Sequence, residues 1–275
     1  MSVELSTQQT RLLTAAIAAL GSADFGHALL AFVRAVVDFN SAVLMAYPDD
    51  AKLLVLHDEL DASDRLPFDG PYRNGLYLLS PLYIESHAGR RGYFHISEIA
   101  PEGFTDSEYY ELYYSTNGCI DQVAFLVESG NGTPVALSLE RTEQLPTFSD
   151  AEKAKLAGLT SLVDTLIRQQ HWPDAQIDTP VAPLDMHAHM QQVMSLFGSS
   201  TLTPRERDVV RLILRGYPSK SVARELDIST QTEQVHRKNI YQKLGISSHS
   251  ELFTLFFDAI AQPTVDADPL LALRA

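Results

Sequence analysis

Between Ser229 and Gly245 the chain carries Gln231, Gln234, Val235 and Lys238, near the start or along one side of what reads as a helix. Amide, methyl and ammonium groups so placed can reach base edges in a DNA major groove. Thr232, His236, Arg237, Lys220 and Lys243 add hydroxyl, imidazole and cationic donors suited to phosphates, contacts that fix register without reading sequence. The net charge of −14 would seem to oppose a polyanion, but it is unevenly spread. Met1 to Ser199 balances at −15, whereas Ser200 to Gln262 balances at +2. Such asymmetry fits an acidic regulatory part joined to a part that meets nucleic acid.

A second constellation is aromatic. Eight of the eleven tyrosines fall between Tyr72 and Tyr114, with Phe94 and Phe104 among them and Asp106, Glu108, Glu111 and Asp121 close by. Ring faces and carboxylates together attract an organic cation, although most such rings pack a core. From these residues Tyr72, Tyr77, Tyr93, Phe104 and Asp121 are taken as the lining of an effector pocket for a small metabolite, the chemistry favouring an amine.

Other chemistry finds no support. No nucleophile, base and orienter stand in a recognised spacing, so the chain does not read as an enzyme. Cys119, the single cysteine, excludes a disulfide framework or a multi-cysteine metal site and reads as a small buried hydrophobe. His187 and His189, two apart, point to different sides of a helix; no metal and no cofactor are expected. No apolar run reaches the roughly 18 residues of a membrane span, and Met1 to Thr10 is too polar for a signal peptide. A cytoplasmic location without membrane contact is the expectation.

The elements follow from apolar spacing. Arg11 to Leu20 and Phe25 to Val37 have helical periodicity, and Ser41 to Tyr47 and Leu53 to His57 read as strands about a Pro48-Asp49-Asp50 turn. Tyr72 to Ile84 reads as a short helix, and Thr105 to Glu108 as a capping box opening a helix that Gly118 closes. Strands at Ile120 to Val127 and Val135 to Leu139 are joined through Gly130-Asn131-Gly132, and a capping box at Ser149 to Glu152 opens a long helix. Residues 1–172 therefore form an α+β, α/β/α sandwich, and this order resembles a GAF/PAS-like sensor or dimerisation domain. Pro173, Pro180 and Pro183 mark residues 173–200 as a linker, residues 201–262 form an all-α four-helix domain, and 263–275 a tail.

In that domain Thr203-Pro204-Arg205-Glu206 is a strong helix start, Gly216 a stop, Asp227-Ile228-Ser229 a tight turn and Gly245 a second stop. Helix, short helix, turn, longer helix is the helix-turn-helix plan. Leu202-Thr203, Arg205-Glu206, Gly216, Lys220, Val222-Ala223, Leu226, Ile228-Ser229, Thr232, His236, Asn239-Ile240-Tyr241 and Lys243-Leu244-Gly245 resemble the LuxR-type DNA-binding domain of LuxR and NarL-like regulators. The resemblance covers roughly Leu202 to Ile260. It implies that the third helix of this domain enters the major groove of double-stranded DNA, usually from a homodimer on a two-fold site.

Two positions depart from the family pattern. Glu233 stands where an apolar valine is usual, and Gln234 where lysine is often found, so Glu233 is expected to repel phosphates, with altered specificity or weaker, more cooperative binding as the result. A phosphoacceptor receiver is excluded because Lys52, Lys153 and Lys155 are the only lysines before the linker. The ligand domain of the quorum-sensing branch leans on tryptophans and an Asp-Pro pair; here Trp172 is the sole tryptophan and Ser80-Pro81 stands instead, which argues against it. The resulting expectation is a one-component transcriptional regulator with an effector-binding N-terminal domain. The alternative is a ligand-free module that dimerises through Ala151 to Gln170 or docks a partner protein.

Overall fold

A computed structural model describes residues 5–49, 53–60, 65, 67–73, 75–172, 186–262 and 266–273. The prolines Pro173, Pro180 and Pro183, on which the linker reading rests, lie outside them. Two helices come first, α1 (Thr7–Ala18) and α2 (Phe25–Arg34), followed by strands β1 (Ser41–Ala46) and β2 (Leu54–Glu59). The expected helix over Tyr72 to Ile84 is instead a 3-10 turn, Leu76–Leu79, and a helix α3 (Pro81–His87). Ser80 causes the break: its hydroxyl caps the Leu82 amide, and Pro81 occupies the first turn, where a missing N–H is harmless.

Strand β3 (Gly92–His95), which the sequence did not reveal, leads into short helices α4 (Ile96–Ile99), α5 (Glu108–Leu112) and α6 (Tyr114–Asn117). The expected cap at Thr105 lies two residues on, at Ser107, whose hydroxyl accepts from the Tyr110 amide. Strands β4 (Cys119–Glu128) and β5 (Pro134–Thr142) form the long hairpin. The single long helix expected after Ser149 divides at Leu159 into α7 (Asp150–Gly158) and α8 (Thr160–Gln169).

The five strands form one antiparallel sheet in the order β2-β1-β5-β4-β3. Alternation sends Ala42, Leu44, Val123, Phe125, Leu137 and Leu139 to one face, where they pack against Phe25, Leu29 and Val33 of α2 and Leu159, Val163 and Leu166 around α8. The apolar face considered for dimerisation thus covers the sheet. The other face bears Val43, Met45, Ala124, Leu126 and Ala136 under the tyrosine-rich segment.

The C-terminal helices are α9 (Met186–Leu196), α10 (Pro204–Leu214), α11 (Ser219–Glu225), α12 (Thr230–Leu244), α13 (His249–Ile260) and α14 (Pro269–Leu273). Helix α9, sequence that reads as linker, packs here: Met190, Val193 and Phe197 are buried, and Phe197 meets Phe256 edge-on at 5.5 Å. Asp268 of the tail accepts from the Gly198 and Ser200 amides. The tyrosine-side core runs without interruption into Val209, Ile213, Val222, Ile240 and Phe253, so the two parts share one buried cluster.

Candidate functional site

Local signals build the DNA-facing helix. Thr203 and Glu206 form a reciprocal capping box at the start of α10. Asp227, at φ 52°, is the only non-glycine residue among those described with positive φ, and it makes the sharp turn into Ser229, which caps α12. Along α12 the side chains of Gln231, Gln234, Val235 and Lys238 are exposed together. Val235, 54% exposed, packs no core, and so shares the surface on which bases would be read.

The phosphate candidates divide. Lys220 and Thr232 are exposed and His236 is half-buried, and Lys220 lines a hollow that it shares with Glu102 and Asp106. Lys243 instead reaches Glu206, its Nζ 2.7 and 2.8 Å from the two carboxylate oxygens, and so buttresses the capping box. Burial would raise the Glu206 carboxyl, but the ammonium and Thr203 outweigh it and hold the group below its ordinary range. Glu206→Gln is expected to lower stability by about 1–2 kcal/mol. Because the folded pKa is depressed, this contribution is present above the unfolded value and lost as pH falls through the folded one, which thermal melts across an acid series will measure.

Arg237 is likewise occupied. Its guanidinium donates to Glu233 at 3.0 and 3.1 Å and forms an ion pair with Glu108 of α5. Glu233 is fully buried and also accepts from the Ser219 hydroxyl. Burial is the main cause that pushes its carboxyl up. The expected repulsion between Glu233 and phosphates does not arise here: the side chain points inward, and Arg237 meets its charge.

Glu108 belongs to a dock. Ser221 of α11 donates to the Glu102 carbonyl at 2.6 Å, Arg224 pairs with the Glu102 carboxylate at 2.6 Å, and His249 lies 3.5 Å from Glu111. The Phe104 ring lies against Gly216, whose φ of +80° favours glycine and where a Cβ would come within 3.0 Å of that ring. Residues 102–111 thus hold the DNA-facing domain by backbone, charge and ring contacts.

The inner side of the same segment walls a cavity of about 350 Å³ at the sheet edge, beyond the end of β3. Phe104, Tyr110, Tyr114, Ile96 and Ile120 give it apolar and aromatic walls; His95, Asp121, Gln122 and Glu102 give it polar ones. Phe104 stands perpendicular to Tyr110 and Tyr114, which stack on each other at 5.1 Å. His95 Nε2 lies 2.6 Å from Asp121, which also accepts from the Phe148 amide at 2.7 Å. Burial would raise the Asp121 carboxyl, but these partners lower it below its ordinary range. Tyr114 donates to Gln122, whose amide nitrogen donates to Ser138 and Glu140, carrying polarity from the cavity into the sheet.

Of the five residues read as a pocket, only Phe104 and Asp121 line this cavity. Tyr72 and Tyr77 lie in the closed core, Tyr72 stacked on Tyr113 at 4.6 Å and Tyr77 on Tyr47 at 6.3 Å, and burial pushes both phenols up to about 12. Tyr93 faces the helices, edge-on to Phe125, because the alternation of β3 sends it to the opposite side of the sheet. His95, Tyr110, Tyr114 and Gln122 were missed. Gln122, a polar residue in an apolar strand paired in register with Glu140, was the available signal. Cys119 is buried. His189 is buried with its Nε2 3.0 Å from the Ile260 carbonyl, a packing role, while the His187 side chain lies outside what is described.

Residues 200–256 match the profile of bacterial regulatory proteins of the luxR family. An HTH-type transcriptional regulator from the exeN 3′ region of Aeromonas salmonicida is 34% identical over 162 residues, 57% of this chain and 82% of that protein. The chain belongs to the LuxR family of bacterial regulatory proteins. The monoamine regulon transcriptional regulator of Klebsiella aerogenes is 29% identical over 118 residues, 43% of this LuxR-family chain and 51% of that one. The LBD domain of Pseudomonas aeruginosa VqsR superposes with a TM-score of 0.51 at 23% identity, over 60% of this chain and 96% of that one, a likeness of fold.

That likeness gives the N-terminal part the fold of that LBD domain. The lone Trp172 and the Ser80-Pro81 pair do not decide the fold of this LuxR-family protein: Trp172 packs edge-on against Phe25 at 5.8 Å, and Ser80-Pro81 starts α3. The protein is a LuxR-type DNA-binding transcriptional regulator, not an enzyme. Among the described residues no helix is long and apolar enough to cross a membrane.

Proposed function

We propose that the chain is a one-component cytoplasmic regulator, dimeric on a two-fold operator, whose DNA affinity is set by a small amine bound in the cavity beside Phe104. Gln231, Gln234, Val235 and Lys238 read base edges; Lys220, Thr232 and His236 hold phosphates. Arg237 holds the dock and Lys243 the capping box, so neither serves the backbone while the dock is closed.

The observation that carries this reading is that one segment has two uses. Its inner side is cavity wall at Glu102 and Phe104, and its outer side holds Ser221, Arg224 and Gly216. An occupant that shifts the wall must shift the domain docked on it, which is a coupling free energy between two sites. Three rings and the Asp121 carboxylate suit an aromatic body ending in an ammonium, the Glu102 carboxylate being taken by Arg224. The likeness to a regulator named for a monoamine regulon supports the same class.

The test is a thermal-shift series on the full chain with 2-phenylethylamine and tyramine, against phenylacetate and butylamine. Ligand at about 100 times its dissociation constant adds about 2.7 kcal/mol and is readily seen. The aromatic amines are expected to raise the melting temperature, and Ile120→Trp, which fills the cavity, to abolish the shift. A response to the acid but not the amines would overturn the amine assignment. Silence to all four with a stable dimer would favour the ligand-free interaction module.

A further inference from the structure

A second constellation lies away from the cavity and independent of the effector reading, where α2 meets the sheet edge at β2. His27 of α2 and His57 and Glu59 of β2 each offer a ligand atom, all within 4.8 Å of one another, the only such group of three among the described residues. His27 Nδ1 lies 3.3 Å and His57 Nε2 3.8 Å from the same oxygen, Glu59 Oε1. Ligands about 2.0–2.2 Å from a tetrahedral Zn²⁺ stand roughly 3.4 Å apart, so small side-chain adjustments close the set.

Three features of the fold hold these groups together. Partners along β1 step from Leu44↔His57 to Met45↔Val55, a bulge that turns His57 and Glu59 to the α2 face, the face Leu54 also shares through Ala46. Gly26 lets the helix backbone lie against His57; a Cβ there would come within 2.4 Å of the His57 Cβ. Arg34 donates to Glu59 Oε2 at 2.9 Å while its guanidinium lies over the Phe39 ring at 3.8 Å, which orients the carboxylate and leaves Oε1 toward the imidazoles. His57 Nε2 is buried and has no hydrogen-bond partner, an unmet lone pair or proton pointing at the site.

We propose that His27, His57 and Glu59 bind a divalent transition-metal ion, with Zn²⁺ the best match for two imidazoles and one carboxylate and with water completing the shell. The ion would tie the edge strand β2 to α2. Its supporting partner is the Arg34 guanidinium, which occupies the far oxygen of Glu59 rather than the metal-facing one.

The experiment is calorimetric titration of ZnCl₂ into tag-free, chelator-treated full-length protein, with melting temperatures read alongside. One ion per chain is expected, with a rise in melting temperature. His27→Gln, at an exposed position that leaves the fold intact, and His57→Gln should each weaken binding at least tenfold, and Arg34→Lys should weaken it less. His249→Gln, at a half-buried histidine of α13 outside this group, should leave zinc binding unchanged. Absence of saturable Zn²⁺ binding, or binding that His27→Gln and His57→Gln leave intact, would overturn the assignment whatever the amine series shows.

Discussion

Lys238→Ala is expected to weaken binding to a duplex selected from random sequence by about 1–3 kcal/mol, on the order of 10- to 100-fold, while reducing non-specific binding far less. The reason is position. Lys238 is exposed on the side of α12 that also presents Gln231, Gln234 and the 54% exposed Val235, whereas Glu233 is fully buried and Arg237 is held by Glu233 and Glu108. Lys220→Ala provides the contrast: as a phosphate contact it should cost affinity evenly across sequences and reduce the slope of log affinity against log salt by about 1. Anisotropy titrations at several salt concentrations separate the two. Equal losses for both variants on every sequence would remove Lys238 from readout.

Arg141→Ala should cause the largest loss of stability, about 3–5 kcal/mol. Arg141 is 2% exposed, yet its guanidinium donates to the Asp38 carbonyl at 2.7 and 3.0 Å, the Pro146 carbonyl at 2.9 Å and Glu152 at 2.7 Å, over the Phe148 ring. One side chain thereby fastens the entry to β1, the loop after β5 and the start of α7. Its hydrogen bond is the main cause that lowers the Glu152 carboxyl to about 2, well below the 4.5 of an unperturbed group. The sign follows: stability from this pair is full above about pH 5 and drains away as pH falls toward 2. Denaturant midpoints from pH 7 to pH 3 should fall more steeply for the parent protein than for Arg141→Ala, and parallel profiles would contradict this role.

What the sequence discloses and what it hides divide along the distance over which each feature is determined. Thr203-Pro204-Glu206, Ser229 and Gly245 act within a single helical turn, so the starts and stops of α10 and α12 are legible, whereas α9 and Asp268, in sequence that reads as linker and tail, pack against the domain through distant contacts. Lys243 and Arg237 look like phosphate contacts because Glu206 and Glu108 reach them only by tertiary packing, although the Glu233 partner of Arg237 stands one turn earlier on α12. The tyrosine-rich segment is conspicuous, yet strand alternation places Tyr93 on one face of the sheet and packing closes Tyr72 and Tyr77 into the other. The cavity is therefore left to Phe104, Tyr110 and Tyr114 at the sheet edge. Strand β3 escapes notice because four residues, one of them Gly92, carry too little period. The bulge in β2 reverses the facing of His57 and Glu59, which a simple alternation would have assigned away from α2.

The central claim is that the cavity and the reading helix are coupled through residues 102–111. The most direct measurement is the affinity of the full chain for its selected duplex across a 2-phenylethylamine titration, paired with the affinity of the amine measured with and without saturating duplex. Coupling through the shared segment predicts that the amine changes DNA affinity and that DNA changes amine affinity by the same factor, typically about 5- to 150-fold. An amine that binds with normal affinity while DNA binding stays unchanged would contradict it.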